Sequence, residues 1–320
     1  MLAWLEAGKH GAMEYLSNDL ELRFNPSHVF PGTKSFLVVA DQYAPRGGSL
    51  PSRPHEDAPK GRVARYAQGR DYHEVMKRRL HSLADQLRIE IPGSGFRTCI
   101  DTVPIFEREL AGLAGLGWQA KNTMIIHPKL GSYFLLGVVA TTLDLTPLPD
   151  QWLPTDHCGT CTRCIEACPT NAITPYSVDA SRCISYLTIE QRGEIDPAFH
   201  RAIGDWMYGC DICQEVCPHN SAREDESQVN IAYTPRTQYL DVLEVLSWTA
   251  PDRTLAFQSS PMKRANLAMI KRNAVIAAGN ALRERERPEL KTRIQAIADD
   301  QAEPELVRHT ARSVLTSFFS

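Results

Sequence analysis

Apolar and polar positions follow three regimes along the chain. Over 1–149, short apolar runs (SFLVVAD at 35–41, TMIIH at 123–127, YFLLGVVATTL at 133–143) read as strands, with helical stretches between them. From 71 to 88, Tyr72, Met76, Leu80, Leu83 and Leu87 share one helical face while Lys77, Arg78 and Arg79 point elsewhere, as expected of an amphipathic helix packed on a sheet. This zone therefore predicts an α/β layer. Its segment 44–69 is rich in Pro, Gly and Arg and too long for a simple connection, a length usual for functional loops. Zone 150–225 carries two proline-terminated cysteine clusters. From about 233 onward the pattern is helical: Leu267, Ile270, Ala274, Ala278 and Leu282 make one apolar face, and 288–319 reads as two further helices. Short antiparallel helix pairs of this kind suggest a small α-solenoid over 226–320.

Composition narrows the class. With 320 residues, 43% hydrophobic and 23% charged content and a formal charge of -3, the chain reads as globular and soluble, neither disordered nor collagenous. Its longest largely apolar run, 133–143, is about half of the roughly 20 residues a membrane span needs, so no membrane is expected. Glu6, Lys9 and His10 stand where a signal peptide would be apolar, and the expected location is the cytoplasm. Eight of nine cysteines lie between Cys158 and Cys217, with Cys99 alone upstream as a buried small hydrophobe. In a reducing compartment such clustering points to metal ligation rather than disulfides.

The spacing identifies the metal. Cys158, Cys161, Cys164 and Cys168, closed by Pro169, form CxxCxxCxxxCP, the bacterial ferredoxin run in which three cysteines hold one 4Fe-4S cluster and the fourth reaches the other. Cys210, Cys213 and Cys217 with Pro218 repeat it with one cysteine fewer, and Cys183 restores the count. Two clusters follow: Cys158, Cys161, Cys164 with Cys217, and Cys168 with Cys183, Cys210, Cys213. Two structural zinc sites are the alternative, but zinc pairs do not call for the third cysteine of the run or the crossing fourth. Two adjacent clusters make a wire for single electrons, and its terminus belongs in zone 1–149.

Local sequence is less decisive there. Asp101, in FRTCIDTVPIFERELA, follows a strand expected to end at Ile100 and precedes a helix expected to begin near Pro104, so the helix N-cap is the stronger local reading. GLAGLGWQAKN lacks GxGxxG spacing, and no GxxxxGK run occurs. The run Asp71-Tyr72-His73 continues Glu74-Val75-Met76 without the glycine of DxHxxG, which argues against a His-ligated cobalamin.

Taken together, CIDTVPIFERELA, GLGWQAKNTMII, HCGTCTRCIEACPTNAI, CISYLTIE and YGCDICQEVCPHN closely resemble the epoxyqueuosine reductase family, in the family's order and from about residue 10 to the end. Family members begin with an extra helix and strand ahead of the segment matching LEAGKHGAMEYL. The resemblance implies an α/β cobalamin-binding domain related to reductive dehalogenases (1–149), a ferredoxin-like domain with two 4Fe-4S clusters (150–225) and a HEAT-like helical repeat domain that binds tRNA (226–320). It implies an oxidoreductase that converts epoxyqueuosine to queuosine at the wobble position of tRNAs for Asp, Asn, His and Tyr. Asp101 then matches the proton donor, against the N-cap reading. Cobalamin, base-off and without a His ligand, would contact Arg23, Tyr66, Asp101, Lys121, Asn122, Ile125 and Ser185. The implied partners are the tRNA anticodon stem-loop and a low-potential electron donor, and a monomer is expected. The rivals are a cobalamin-dependent reductive dehalogenase and a two-cluster electron-transfer module.

Epoxide-to-alkene reduction consumes two electrons and two protons and releases water, so an acid must sit beside the departing oxygen. Asp101 is expected to be protonated near neutral pH, raised by apolar surroundings. Between 261 and 293 nine Lys or Arg (263, 264, 271, 272, 283, 285, 287, 291, 293) face three Glu, a candidate phosphate-facing stripe. Arg62, Arg65, Tyr66 and Arg70 are candidates to receive a flipped-out anticodon base, with Tyr66 stacking.

Overall fold

The structure is a computed structural model that describes residues 1–47, 59–145, 154–222 and 229–317. The expected boundaries at 149/150 and 225/226, and part of the 44–69 loop, lie outside the described residues.

The apolar strand Phe134–Thr141 is the centre of a three-stranded antiparallel sheet, between Ser35–Gln42 and Phe96–Cys99. Its period of two assigns its faces. Leu135 and Val139 face the long helix Tyr72–Glu90, meeting Met76, Leu80 and Ala84. Gly137 lets that helix approach, since a Cβ there would lie 2.9 Å from Leu80 Cδ1. Phe134, Leu136 and Val138 face the opposite layer, where Ile105, Leu110 and Ala111 of the Glu107–Leu113 helix region cover them. The α/β layer and the helix at 71–88 are as expected, and Cys99 is fully buried. The 123–127 run departs from expectation: only Ile125–Ile126 is extended, paired with Trp118–Gln119 in a separate ribbon. Thr123 at φ +66° turns the chain before a longer strand can form.

A second sheet was hidden from pattern reading. Lys60–Val63, in the Pro- and Gly-rich loop, runs parallel to Trp206–Tyr208 and antiparallel to Tyr239–Asp241, so each of the three zones supplies one strand. KGRV carries no strand signal of its own, and the pairing partners are distant in sequence. The zones also share a core: Val63 and Ala67 pack with Met207, Tyr208, Met269 and Ala274 in one buried cluster.

The helices Leu267–Glu284, Pro288–Asp299 and Glu305–Thr316 match the expected helical tail. Leu267–Glu284 is nevertheless buried all round from Met269 to Gly279, rather than on one face. This corrects the basic stripe. Arg272, fully buried, donates to the carbonyls of Leu187, Gln191 and Gly193 at 2.8, 2.6 and 2.5 Å. Lys271 is buried against Glu303. Neither faces a phosphate; both hold the helix in place.

Candidate functional site

Seven of the cysteines occupy two short helical turns, Arg163–Glu166 and Ile212–Glu215, and the loops around them, while Cys183 stands at the N-cap of the helix Ile184–Ile189. Cys158 and Cys217 pack together on Trp118, Ala120 and Ile126, although nearly sixty residues separate them. Burial pushes the Cys164 thiol up, and the neighbouring Cys217, Cys158 and Cys161 add to it. Cys213 is pushed up by burial and then by Cys183, with Cys164 and Cys168 among its other neighbours. Cys183 in turn feels Cys168, and Cys210 feels Cys213 and Cys183. The thiols of both motifs and Cys183 therefore gather in one region, with Cys164 and Cys213 each influenced by cysteines of the other motif. Lys121 donates from Nζ to the carbonyls of Gly159 (2.6 Å) and Cys161 (3.1 Å), and Asn122 from Nδ2 to that of Cys213 (3.2 Å). These two residues tie zone 1–149 to both cysteine loops. Ile125 is buried beside them in the ribbon. Ser185 sits in the helix Ile184–Ile189, and its backbone N–H supports the Cys183 thiolate.

Asp101 does not cap a helix. The following helix starts at Glu107 with Phe106 at its N-cap, and Asp101 stands in a turn at φ +36° with its side chain 58% exposed. A non-glycine residue held in that region marks a turn fixed by its surroundings. His73 Nε2 lies 3.0 Å from Asp101 Oδ2, and Tyr72 donates its hydroxyl to the same oxygen at 3.0 Å. On its other side, His73 Nδ1 lies 2.7 Å from Oδ1 of Asp71. Asp71 is fully buried, caps the Tyr72–Glu90 helix by accepting from the His73 backbone N–H, and pairs through Oδ2 with Lys263. The Tyr72 and His73 rings stack at 4.0 Å.

The electrostatics overturn the expectation for Asp101. The hydrogen bond from His73 holds its carboxyl below the usual range, outweighing desolvation. Bonded first to Asp101 and then to Asp71, His73 is instead raised to about 9. At neutral pH the ring is an imidazolium between two carboxylates, and the proton belongs to the pair rather than to an apolar Asp101. Near Asp101, burial instead raises Glu107, pushed up to about 7, with Asp101's charge adding to it. Glu107 Oε1 is buried without a hydrogen-bond partner, as is Arg23 Nε, and the Phe24 and Phe106 rings beside them meet edge-on at 5.4 Å.

Tyr66 is largely buried against Tyr72 and Tyr208, ring centroids 6.1 and 6.4 Å away. Arg62 pairs with Asp205 at 2.6 Å and covers Trp206, while Arg65 lies over Tyr133. The expectation that Arg62 and Arg65 greet a flipped base is therefore corrected, because internal partners already engage both. In the sequence Asp71, Tyr72 and His73 register only as an incomplete DxHxxG run; the available signal was an Asp at the N-cap of a strongly amphipathic helix. Lys263 registered only as a member of the basic stripe, and its pairing with Asp71 was not legible because that partner is remote in the chain.

Residues 157–220 match the family described as 4Fe-4S double cluster binding domain. That sets zinc aside and defines the class: an iron–sulfur redox protein with its cluster region built onto an α/β layer. Residues 23–102 match the family described as Epoxyqueuosine reductase QueG, DUF1730. Epoxyqueuosine reductase of Pseudomonas aeruginosa is 38% identical over 280 residues, covering 87% of this chain and 76% of its own length. That of Burkholderia pseudomallei is 37% identical, covering 88% and 75%. Among solved structures, an epoxyqueuosine reductase bound to an epoxyqueuosine-modified tRNA-Tyr stem loop superposes with a TM-score of 0.82 at 28% identity, over 93% of this chain and 77% of that one. The Bacillus subtilis enzyme, with its catalytic aspartate loop swung out of the active site, gives 0.81 at 29%, over 92% and 76%. The chain belongs to the epoxyqueuosine reductase family, and it is an oxidoreductase. Among the described residues no helix is long and apolar enough to cross a membrane.

Proposed function

We propose that this chain reduces epoxyqueuosine to queuosine at the wobble position of tRNAs for Asp, Asn, His and Tyr, the last step in making that nucleoside. The observation that carries the reading is the Asp101–His73–Asp71 array, in which a histidine raised to about 9 stands between two carboxylates. A relative captured on an epoxyqueuosine-modified stem loop supports the substrate, and a relative whose aspartate-bearing catalytic loop is described as swung out of the active site is in keeping with a role for Asp101 in its turn.

Cobalamin is the cofactor we assign to 1–149, with 150–225 as the cluster domain and 226–320 as a helical repeat that helps hold tRNA. The residues present fit such a group: Arg23 Nε and Glu107 Oε1, a buried donor and a buried acceptor without partners on adjacent segments, complement the carboxamides that fringe a corrin. Arg23, Tyr66, Asp101, Lys121, Asn122, Ile125 and Ser185 would hold it. Bound base-off, cobalamin supplies a strongly reducing cobalt centre for the epoxide carbon. Cys158, Cys161, Cys164, Cys217 and Cys168, Cys183, Cys210, Cys213 would hold the two clusters, which would supply electrons singly from an unidentified low-potential donor. As the carbon–oxygen bond opens, Asp101 delivers to the oxygen a proton drawn from His73, and Tyr72 fixes the carboxylate. A second proton releases the oxygen as water, so two electrons and two protons are consumed per alkene formed. The enzyme acts in the cytoplasm as a monomer.

Anaerobic purification with cobalamin supplied tests the reading. About eight iron and one cobalt per chain, with epoxyqueuosine-tRNA turned over in an Asp101-dependent manner, are expected. Iron without cobalt after reconstitution, or full turnover without cobalt, overturns it.

A further inference from the structure

The amine of Lys263 comes from the 3₁₀ turn Pro261–Arg264 at the base of the helical tail, far in sequence from 71–73, yet it pairs with the fully buried carboxylate of Asp71. Three further ties fix this turn. Asp71 N–H donates to Ser259 O at 2.7 Å, and Tyr208 OH donates to Pro261 O at 2.8 Å. Arg264 forks onto both Glu190 oxygens at 2.9 and 2.8 Å. Asp71 therefore serves two cations at once, Lys263 through one oxygen and His73 through the other.

We propose that Lys263 is a positioning residue for the acid at Asp101: through the buried carboxylate of Asp71 it fixes the orientation of His73 and shares the counter-charge that keeps the ring's proton. A half-exposed amine on a buried carboxylate makes a lever whose sign is calculable. With Lys263 present, Asp71's charge is divided between two cations, and the ammonium repels the imidazolium. Without it, the whole of that charge acts on His73, and the ring should bind its proton more tightly. The other groups around the ring remain in place: Glu74 and the Tyr72 phenol on its own helix, Asp101 with Glu107 beyond it, and Arg264 with Glu190, Tyr208 and Tyr15 on the facing elements. The inference rests on the reading of Asp101–His73 as the acid, but its first readout does not require turnover.

Hydrogen–deuterium exchange at the histidine C2 position, followed by mass spectrometry of the peptide holding His73 in the cluster-loaded protein, gives the ring's titration midpoint. In K263M the midpoint should rise by about one pH unit, in D71N it should fall by at least as much, and in K263R it should return close to the wild-type value. Cluster absorbance checks that each variant is folded. An unmoved midpoint in folded K263M, or a fall, overturns the proposal. If the midpoints move as stated while the alkaline limb of single-turnover rate does not follow them, Lys263 still positions His73, and it is the catalytic reading of His73 that fails.

Discussion

The cysteine segment and the acid cluster, to which we assign the electrons and the protons of one reaction, are encoded differently in the chain. Eight thiols lie within 158–217, with spacings set by the reach of a short helical turn around a cluster. The acid cluster takes Asp71, Tyr72 and His73 from a helix start, Asp101 from the turn after a strand, and Lys263 from a 3₁₀ turn in the tail. A ligand motif survives as a linear pattern because each set needs neighbours three residues apart. A proton relay needs only that tertiary packing bring its members together, so it leaves no spacing behind.

The hardest test of the local half is Cys217, the residue we assign to the cluster of the other motif. C217A should remove about four of about eight iron per chain and expose Cys158, Cys161 and Cys164 to alkylation, with Cys168, Cys183, Cys210 and Cys213 still protected. Alkylation of Cys210 and Cys213 instead would show that the sets are not crossed.

For the non-local half, D101N should lower single-turnover reduction by about 10²–10⁴-fold, the usual worth of a positioned acid, while leaving iron content unchanged. Turnover near normal would remove Asp101 from the chemistry. The rate on the unmodified residue should hold across neutral pH and decline on an alkaline limb near 9, where His73 loses its proton. A limb near the ordinary carboxylate range would instead put the working proton on Asp101 alone.

These contrasts show what was legible and why. The strands at 35–41 and 133–143, the helix at 71–88 and the three C-terminal helices were legible from their own apolar runs and periods, although Leu267–Glu284 is buried all round rather than on one face. Lys60–Val63 was not legible: its strand exists only through partners at 206–208 and 239–241. Lys271 and Arg272 misled for the same reason, since charge in a sequence reads as surface until the carbonyls that receive it are in view. Asp101 was placed by family resemblance and then assigned the wrong electrostatics, because His73 was invisible as its neighbour.

Arg272 gives a prediction on that non-local packing. Its guanidinium supplies three carbonyls between 187 and 193, in the helix Ile184–Ile189 and the segment after it, from inside a buried helix. R272M fills similar volume but leaves those acceptors without donors, and should cost about 3 kcal/mol, read as a lower denaturant midpoint with unchanged iron. A variant as stable as wild type would mean that water replaces the guanidinium and that the helical tail is held by apolar contact alone.

The smallest expected effect separates the acid cluster from its surroundings most finely. Glu107 is raised from about 4.5 to about 7, first by burial and then by the charge of Asp101. Between those values the folded chain holds a proton that the unfolded chain has released, so this group's contribution to stability falls as pH rises from 4.5 through 7. E107Q lacks that decline. Its melting temperature relative to wild type should therefore improve between pH 5 and pH 8, by a few degrees at most. In a D101N background the same gain should shrink, because the nearby charge that raises Glu107 has gone. A gain of equal size with and without Asp101's charge would mean that Glu107 answers only to its own burial, and that the proton cluster ends at His73, Tyr72 and Asp101.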